Sequence, residues 1–276
     1  MSDIDSSLQE ICPGVRCVPV RSPTLPPATH TNVWILGEHH VTVIDPASPY
    51  DDEQARLDEI LEMVMVERIL LTHHHNDHIG GALALKKTTG ARIAAHPLTR
   101  DRLDIEIDEL LDENDVVDTD AGFWRVLHTP GHATGHLCLF NGGLSTLVAG
   151  DMVAGVGTIL LDPPEGNLHD YIESLTRLAE LNPSRLLPAH GPCIENGVEV
   201  LKNYIEHRHM RTAQIQEVLA TSPGQRVEAI TERIYRDLVP ERFLAVAARQ
   251  VLCHLNWLEA EHKVVRSDDS YHLVVK

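Results

Sequence analysis

Apolar residues in this chain follow two rhythms. Short runs rich in β-branched and aromatic residues come first, at Val15-Arg-Cys-Val-Pro-Val20, Thr31-Asn-Val-Trp-Ile-Leu36 and Val41-Thr-Val-Ile-Asp45, divided by Pro- and Gly-bearing turns. Such runs predict strands. From Asp51 to Val64 the apolar positions Leu57, Ile60, Leu61 and Val64 fall on one helix face, so the period changes to that of a helix. The two rhythms then alternate. Arg68 to Leu71 predicts a strand, Ile79 to Lys87 a helix closed near Gly90, and residues 92–95, 123–128, 136–140 and 145–149 further strands. Leu168, Tyr171, Ile172, Leu175, Leu178 and Leu181 mark another amphipathic helix. The pattern predicts a mixed α/β domain.

Beyond residue 197 the texture changes. Leu201, Ile205, Ile215 and Leu219 trace a long helix, Val227, Ile230 and Ile234 a shorter one, and Leu244, Ala247, Ala248, Val251, Leu255 and Leu258 a third. Two β-prone segments follow, Lys263 to Arg266 and Tyr271 to Val275, around the polar turn Ser-Asp-Asp-Ser. Three helices and a hairpin predict a winged helix, giving two domains, 1–197 and 198–276. Winged helices often place their third helix in a DNA groove. Here that helix carries Arg242 and Arg249 alongside Glu241, Glu259 and Glu261. Packing on the first domain, walling its cleft or forming a homodimer suits it better.

Charge narrows the partners. The chain of 276 residues has a formal net charge of −18, and residues 198–276 hold 11 Lys/Arg against 11 Asp/Glu, so the whole excess lies in residues 1–197. An acidic body without a run of Lys/Arg repels phosphodiester backbones and favours a small-molecule substrate over nucleic acid. The densest acidic stretch, Asp101 to Asp120, reads as a solvated helix and loop. It lacks the spaced oxygens and glycine of a calcium loop. Five scattered cysteines without a C-x-x-C pair read as free thiols. No apolar stretch suffices to span a bilayer, and Met1-Ser-Asp-Ile-Asp-Ser-Ser lacks the features of a signal peptide, so no membrane role and a cytoplasmic location are expected.

The candidate chemistry sits where predicted strands end. His73-His74-His75-Asn76-Asp77-His78 gives the pattern H-x-H-x-D-H directly after the strand Arg68 to Leu71. Alternate residues of an extended segment point the same way, so His73 and His75 can grip one ion while Asp77 and His78 turn toward a second. Three further groups follow other strands: Thr129-Pro-Gly-His132, Ala149-Gly-Asp151 and Pro188-Ala-His190-Gly191. Open sheets gather ligands at such strand ends.

Taken in order, these motifs resemble those of the metallo-β-lactamase superfamily over roughly residues 15 to 195. With the winged helix they resemble its β-lactamase-like branch, across nearly the whole chain. The resemblance implies an αββα sandwich followed by a small winged-helix domain. It also implies that His73, His75 and His132 bind one metal, that Asp77, His78 and His190 bind another, and that Asp151 bridges them. The two divalent ions are expected to be zinc, although a mixed nitrogen and oxygen site also accepts iron or manganese. Two cations against two ligand carboxylates leave positive charge, so a bridging hydroxide forms near neutral pH and serves as nucleophile. Asp77 is the candidate catalytic residue, orienting that hydroxide or passing its proton to the leaving group. Asp45 resembles a supporting carboxylate of the family, with a turn residue before Pro46 as the other reading. His136 is a candidate supporting donor, while His74 should point away.

Members of this branch include single-strand-specific endoribonucleases and thioesterases of polyketide pathways. The leading expectation is a hydrolase of an ester, thioester or lactone, and the alternative is an endoribonuclease acting on single-stranded RNA. A metal-sensing winged-helix regulator comes third, because the complete ligand set argues for catalysis. The segment Gly155 to Gly166 either walls the substrate cleft or merely connects elements.

Overall fold

A computed structural model describes residues 7–274. Residues 1–6, which carry most of the signal-peptide argument, and Val275, assigned above to the last strand, lie outside the described residues.

The first sheet is built almost in chain order. β1 (Gln9–Cys12), β2 (Val15–Arg21), β3 (His30–Leu36) and β4 (His40–Ile44) pair antiparallel, and β5 (Met65–Leu70), β6 (Arg92–Ala95) and β7 (Glu109–Leu110) continue in parallel. Parallel neighbours need crossovers. These are made by α1 (Asp51–Leu61), then α2 (Asn76–Ile79) and α3 (Ala82–Thr89), then α4 (Pro97–Arg100). The second sheet joins β8 (Val116–Thr119), β9 (Gly122–His128), β10 (Leu137–Asn141), β11 (Thr146–Gly150), β12 (Arg185–Pro188) and β13 (Ile194–Glu195), with α5 (Leu168–Glu180) crossing between the parallel pair β11 and β12.

Central strands are apolar at successive positions because both of their faces are covered. Ile69 and Leu71 pack with Leu57 of α1 and Leu85 of α3, whereas Leu70 between them faces the opposite sheet with Trp34 and Trp124. In the second sheet Val148 and Leu187 turn toward the same central layer, while Leu147 and Leu186 pack on Leu175 and Leu178 of α5. The result is the expected αββα sandwich. Its sheets are also tied by polar contacts: Asn32 Nδ2 donates to the carbonyls of Pro188 at 2.9 Å and Gly191 at 2.8 Å, and Trp34 Nε1 donates to Pro188 at 3.2 Å.

Two expectations need correction. The helix placed at Ile79 to Lys87 is interrupted by Gly80 and Gly81, leaving α2 and α3 as separate pieces. A Cβ on Gly81 would lie 2.5 Å from the Pro46 carbonyl oxygen, and one on Gly80 2.5 Å from that of Ala47, so the pair lets this segment rest directly on the turn after β4. The acidic stretch Asp101 to Asp120 contains no helix, since α4 ends at Arg100; it carries β7 and β8, and several of its carboxylates are structural. Asp120 accepts the backbone N–H groups of Glu38, His39 and His40, which pull its pKa down to about 2. Glu109 pairs with Arg68, Asp108 with Lys86 and Glu113 with Arg177.

The C-terminal part is a winged helix, with α6 (Gly197–Thr221), α7 (Val227–Tyr235), a short 3-10 turn (Glu241–Phe243), α8 (Leu244–Ala260) and the hairpin β14 (Val264–Ser267) and β15 (Ser270–Leu273). The division expected at 197/198 falls inside the first turn of α6. That helix shares two cores: Leu201 packs with α5, and Ile215, Val218 and Leu219 with Ile230, Val251 and Tyr271. Among the described residues no helix is long and apolar enough to cross a membrane.

His254 of α8 is fully buried, its Nδ1 2.8 Å from Thr212 Oγ1. Burial, then the charges of Arg208 and Arg211, then His207 and His209, push its pKa from 6.5 to about 3. The folded chain therefore keeps this ring neutral where the unfolded chain protonates it, so stability falls as the pH drops below 6.5 and continues to fall toward 3. We expect His254→Phe to remove about one proton's worth of this dependence, about 1.4 kcal/mol per pH unit in the middle of that range. Urea titrations at several pH values check it; unchanged slopes would refute it.

Candidate metal centre

Five strand ends meet at one rim of the sandwich. β4 delivers Asp45, β5 the histidine-rich segment, β9 His132, β11 Asp151 and β12 His190. The seven residues singled out from sequence are brought together there.

His73 Nε2 and His75 Nδ1 lie 3.0 Å apart, and His132 Nε2 is 3.3 Å from the first and 3.0 Å from the second. Ligand atoms around a tetrahedral zinc, each about 2.0–2.1 Å from the ion, stand about 3.3 Å from one another. Beside this triangle, His78 Nε2 is 4.0 Å from Asp77 Oδ1, and His190 Nε2 is 3.6 Å from Asp77 Oδ2. Asp151 lies between the groups: Oδ2 is 3.4 Å from His132 Nε2 and 3.6 Å from His78 Nε2, and Oδ1 is 3.4 Å from His190 Nε2.

Each ring except His75 turns its far nitrogen to a protein partner. His73 Nδ1 is 3.0 Å from Thr72 Oγ1, His78 Nδ1 is 2.8 Å from Asp45 Oδ2, His132 Nδ1 donates to the Leu160 carbonyl at 2.8 Å, and His190 Nδ1 donates to that of His30 at 3.0 Å. Asp45, 2% exposed, also accepts Thr72 N–H at 2.8 Å and Thr72 Oγ1–H at 2.6 Å. It therefore orients two of the histidines at once. His136 takes the supporting place expected of it, but as an acceptor: its Nε2 receives the Asp151 N–H at 3.1 Å.

Other contributors were not legible in the sequence. Glu165 binds His74 Nε2 at 3.2 Å and accepts the Thr134 N–H at 3.0 Å. Burial opposes its charge, yet these two contacts bring its pKa down to about 2. Thr31 Oγ1 donates to the Asp77 carbonyl at 2.8 Å. Gly131, at φ +133, lets the His132 turn lie against α5, where a Cβ would stand 2.3 Å from Tyr171 Cα. Cys193 stays away, packed with the central layer and donating to the Leu186 carbonyl.

Burial sets the charge states of the site. It lowers the pKa of His73 far below the ordinary value, helped by His78, His75 and His132, and that of His75 to about 3, helped by His132 and His78. It also lowers His132. These three rings offer neutral lone pairs. Burial opposes charge on His78 and His190 as well, but the Asp151 carboxylate outweighs it and raises both. Burial would raise Asp151, and His190 and His78 instead hold it well below the carboxylate range. His78 Nε2 and Asp151 Oδ1 are buried without a hydrogen-bond partner, an arrangement that suits donors meant for a cation. Three sets, His73/His75/His132, His73/His78/Asp151 and Asp77/His78/His190, are each close enough to hold a metal ion.

The chain matches the Metallo-beta-lactamase superfamily over residues 26–190 and the Beta-lactamase associated winged helix domain over residues 227–272. It belongs to the metallo-beta-lactamase superfamily of hydrolases, with that winged helix appended. It is 31% identical over 252 residues to the Beta-lactamase-like protein 2 homolog of Drosophila melanogaster, covering 85% of this chain and 84% of that one. To a hydroxyacylglutathione hydrolase of Pseudomonas putida (strain GB-1) it is 32% identical over 217 residues, covering 75% and 74%. A Beta-lactamase domain protein from Burkholderia ambifaria superposes with a TM-score of 0.86 at 22% identity, covering 99% of this chain and 96% of that chain. A smaller protein solved in a di-iron-bound form superposes at 0.54 with 26% identity over 65% of this chain and 96% of its own.

The double duty of Asp45 yields a test. We expect Asp45→Asn to lower zinc affinity about 10- to 100-fold, read by competition with a chromophoric chelator. Wild-type affinity in a folded variant would show that His78 needs no such partner.

Proposed function

We propose that the protein is a dinuclear metal-dependent hydrolase of a small ester, thioester or lactone. In this reading His73, His75 and His132 hold one divalent cation, Asp77, His78 and His190 a second, and Asp151 touches both. The observation that carries it is the triangle of ring nitrogens at 3.0, 3.0 and 3.3 Å, with Asp151 placed between it and the second group. Zinc suits the all-nitrogen group, and the oxygen-bearing second group also suits iron. Held there, such cations would supply Lewis acidity and would lower the pKa of bound water to about 7.

The chain's residues then divide the work. The hydrogen bonds on the far ring nitrogens fix tautomer and orientation, so the inner nitrogens stay aimed at the ions. Asp151, shared between the groups, fixes their separation. Asp77 has the most exposed side chain among those touching the second group, at 18%, which supports a role in which its carboxylate would accept a proton from the attacking water and return it to the leaving group. The acidic body supports a small substrate over RNA. So does the similarity to a hydroxyacylglutathione hydrolase, whose name describes a small acyl compound.

Metal analysis of the purified protein, coupled to thioester, lactone, β-lactam and single-stranded RNA substrates, tests the reading. Turnover of a small carbonyl compound that is lost with a chelator and restored by zinc is expected. Activity on RNA alone, falling steeply with salt as phosphate contacts release counterions, would replace it with an endoribonuclease. Asp77→Asn is expected to lower kcat by about 100-fold. Full turnover with normal metal content would remove Asp77 from proton transfer.

A further inference from the structure

We infer that the winged helix is a brace for the metal centre, in which Arg208 of α6 and Gln250 of α8 are positioning residues that hold the Leu160 carbonyl against His132. The inference rests on the reading of His132 as a metal ligand. His132 Nδ1 donates to the Leu160 carbonyl at 2.8 Å, and both neighbours of Leu160 are held from the C-terminal helices. Arg208 Nη2 donates to the Ile159 carbonyl at 2.7 Å, and the Leu161 N–H donates to Gln250 Oε1 at 3.0 Å. Leu160 is thus fixed from both sides by side chains of another domain.

The rest of the segment is clamped by the same two helices. Tyr204, one turn before Arg208 on α6, receives the Ala154 N–H at 3.0 Å and donates to the Ala154 carbonyl at 3.2 Å. On α8, Arg249 binds Asp162 and the Pro163 carbonyl, and Cys253 Sγ donates to the Gly166 carbonyl at 3.4 Å. Arg208 also touches α5, which packs on the turn that carries His132. Its guanidinium lies 5.1 Å from the centre of the Tyr171 ring, and Tyr171 packs against Gly131, the residue before His132.

A guanidinium only 2% exposed carries a large desolvation cost, so its burial calls for a specific task. Fixing the backbone next to the Leu160 carbonyl, while resting on Tyr171 of the helix that supports the His132 turn, is such a task. In a winged helix that reads DNA the third helix presents side chains to the groove. Here that helix, α8, turns Arg249, Gln250 and Cys253 onto the loop that ends at α5, so this face serves the hydrolase.

The test is zinc affinity of the full chain, measured by chelator competition in the absence of substrate. Gln250→Met keeps volume but cannot accept the Leu161 N–H, and Arg208→Met removes the donor to Ile159. Both are expected to weaken zinc binding about 10- to 100-fold, and Arg208→Lys to recover part of that loss. Val251→Ala truncates the neighbouring α8 residue, which packs inside the winged helix. It should leave affinity within about twofold while lowering the melting temperature. If Arg208→Met does not fold, Gln250→Met and Arg208→Lys decide.

Unchanged affinity in Gln250→Met, or an equal loss in Val251→Ala, would overturn the brace. If His132→Ala itself leaves zinc binding intact, the ligand reading falls and the brace with it. A loss confined to His132→Ala removes the brace alone.

Discussion

Five imidazoles and two carboxylates share one buried pocket, and what makes that crowding tolerable is the anchoring of the rings on their outer sides. An imidazole with one nitrogen engaged by a carbonyl, hydroxyl or carboxylate has its tautomer and its rotation fixed. His73, His78, His132 and His190 are all held this way. Their inner nitrogens then converge because the scaffold leaves them no other direction. Without such anchors, buried neutral rings would relax away from one another and toward any available donor.

The sandwich is suited to supplying those anchors. Strands covered on both faces are rigid, and their ends reach the rim from two different sheets. The carbonyl of Pro188, at the end of β12, accepts hydrogen bonds from both Asn32 and Trp34 of the opposing sheet. His190 follows two residues later and bonds the His30 carbonyl at the start of β3. The position of His190 is thereby referred to both sheets, and the pocket inherits the rigidity of the layer between them.

Much of this was legible in the sequence, for identifiable reasons. His73 and His75 share a side of an extended segment by simple alternation, and each remaining group follows a short apolar run that predicts a strand. The double-sided burial of β5 and β11 appears as unbroken runs, Ile69-Leu70-Leu71 and Leu147-Val148-Ala149. What was not legible depends on contacts between distant segments. Gln250 meets Leu161 across 89 residues and Arg208 meets Ile159 across 49, each through a backbone group that carries no side-chain signature. The Gly80-Gly81 break arises from close approach to Pro46 and Ala47, which helix periodicity does not register. The acidic stretch is largely solvated, as its charge suggests, but charge counts do not show that it forms strands in place of a helix or that Asp120 caps a remote turn.

The helix α6 runs without interruption for 25 residues, its first turns packed on α5 and its last turns inside the winged helix. A continuous rod shared by two hydrophobic cores leaves no hinge at which one could loosen while the other stays intact. Appended domains on flexible tethers melt separately, and departures from all-or-none unfolding are common in chains of two domains. Here the shared rod couples the two cores, so disorder that begins in the winged helix is passed directly to the packing of α5.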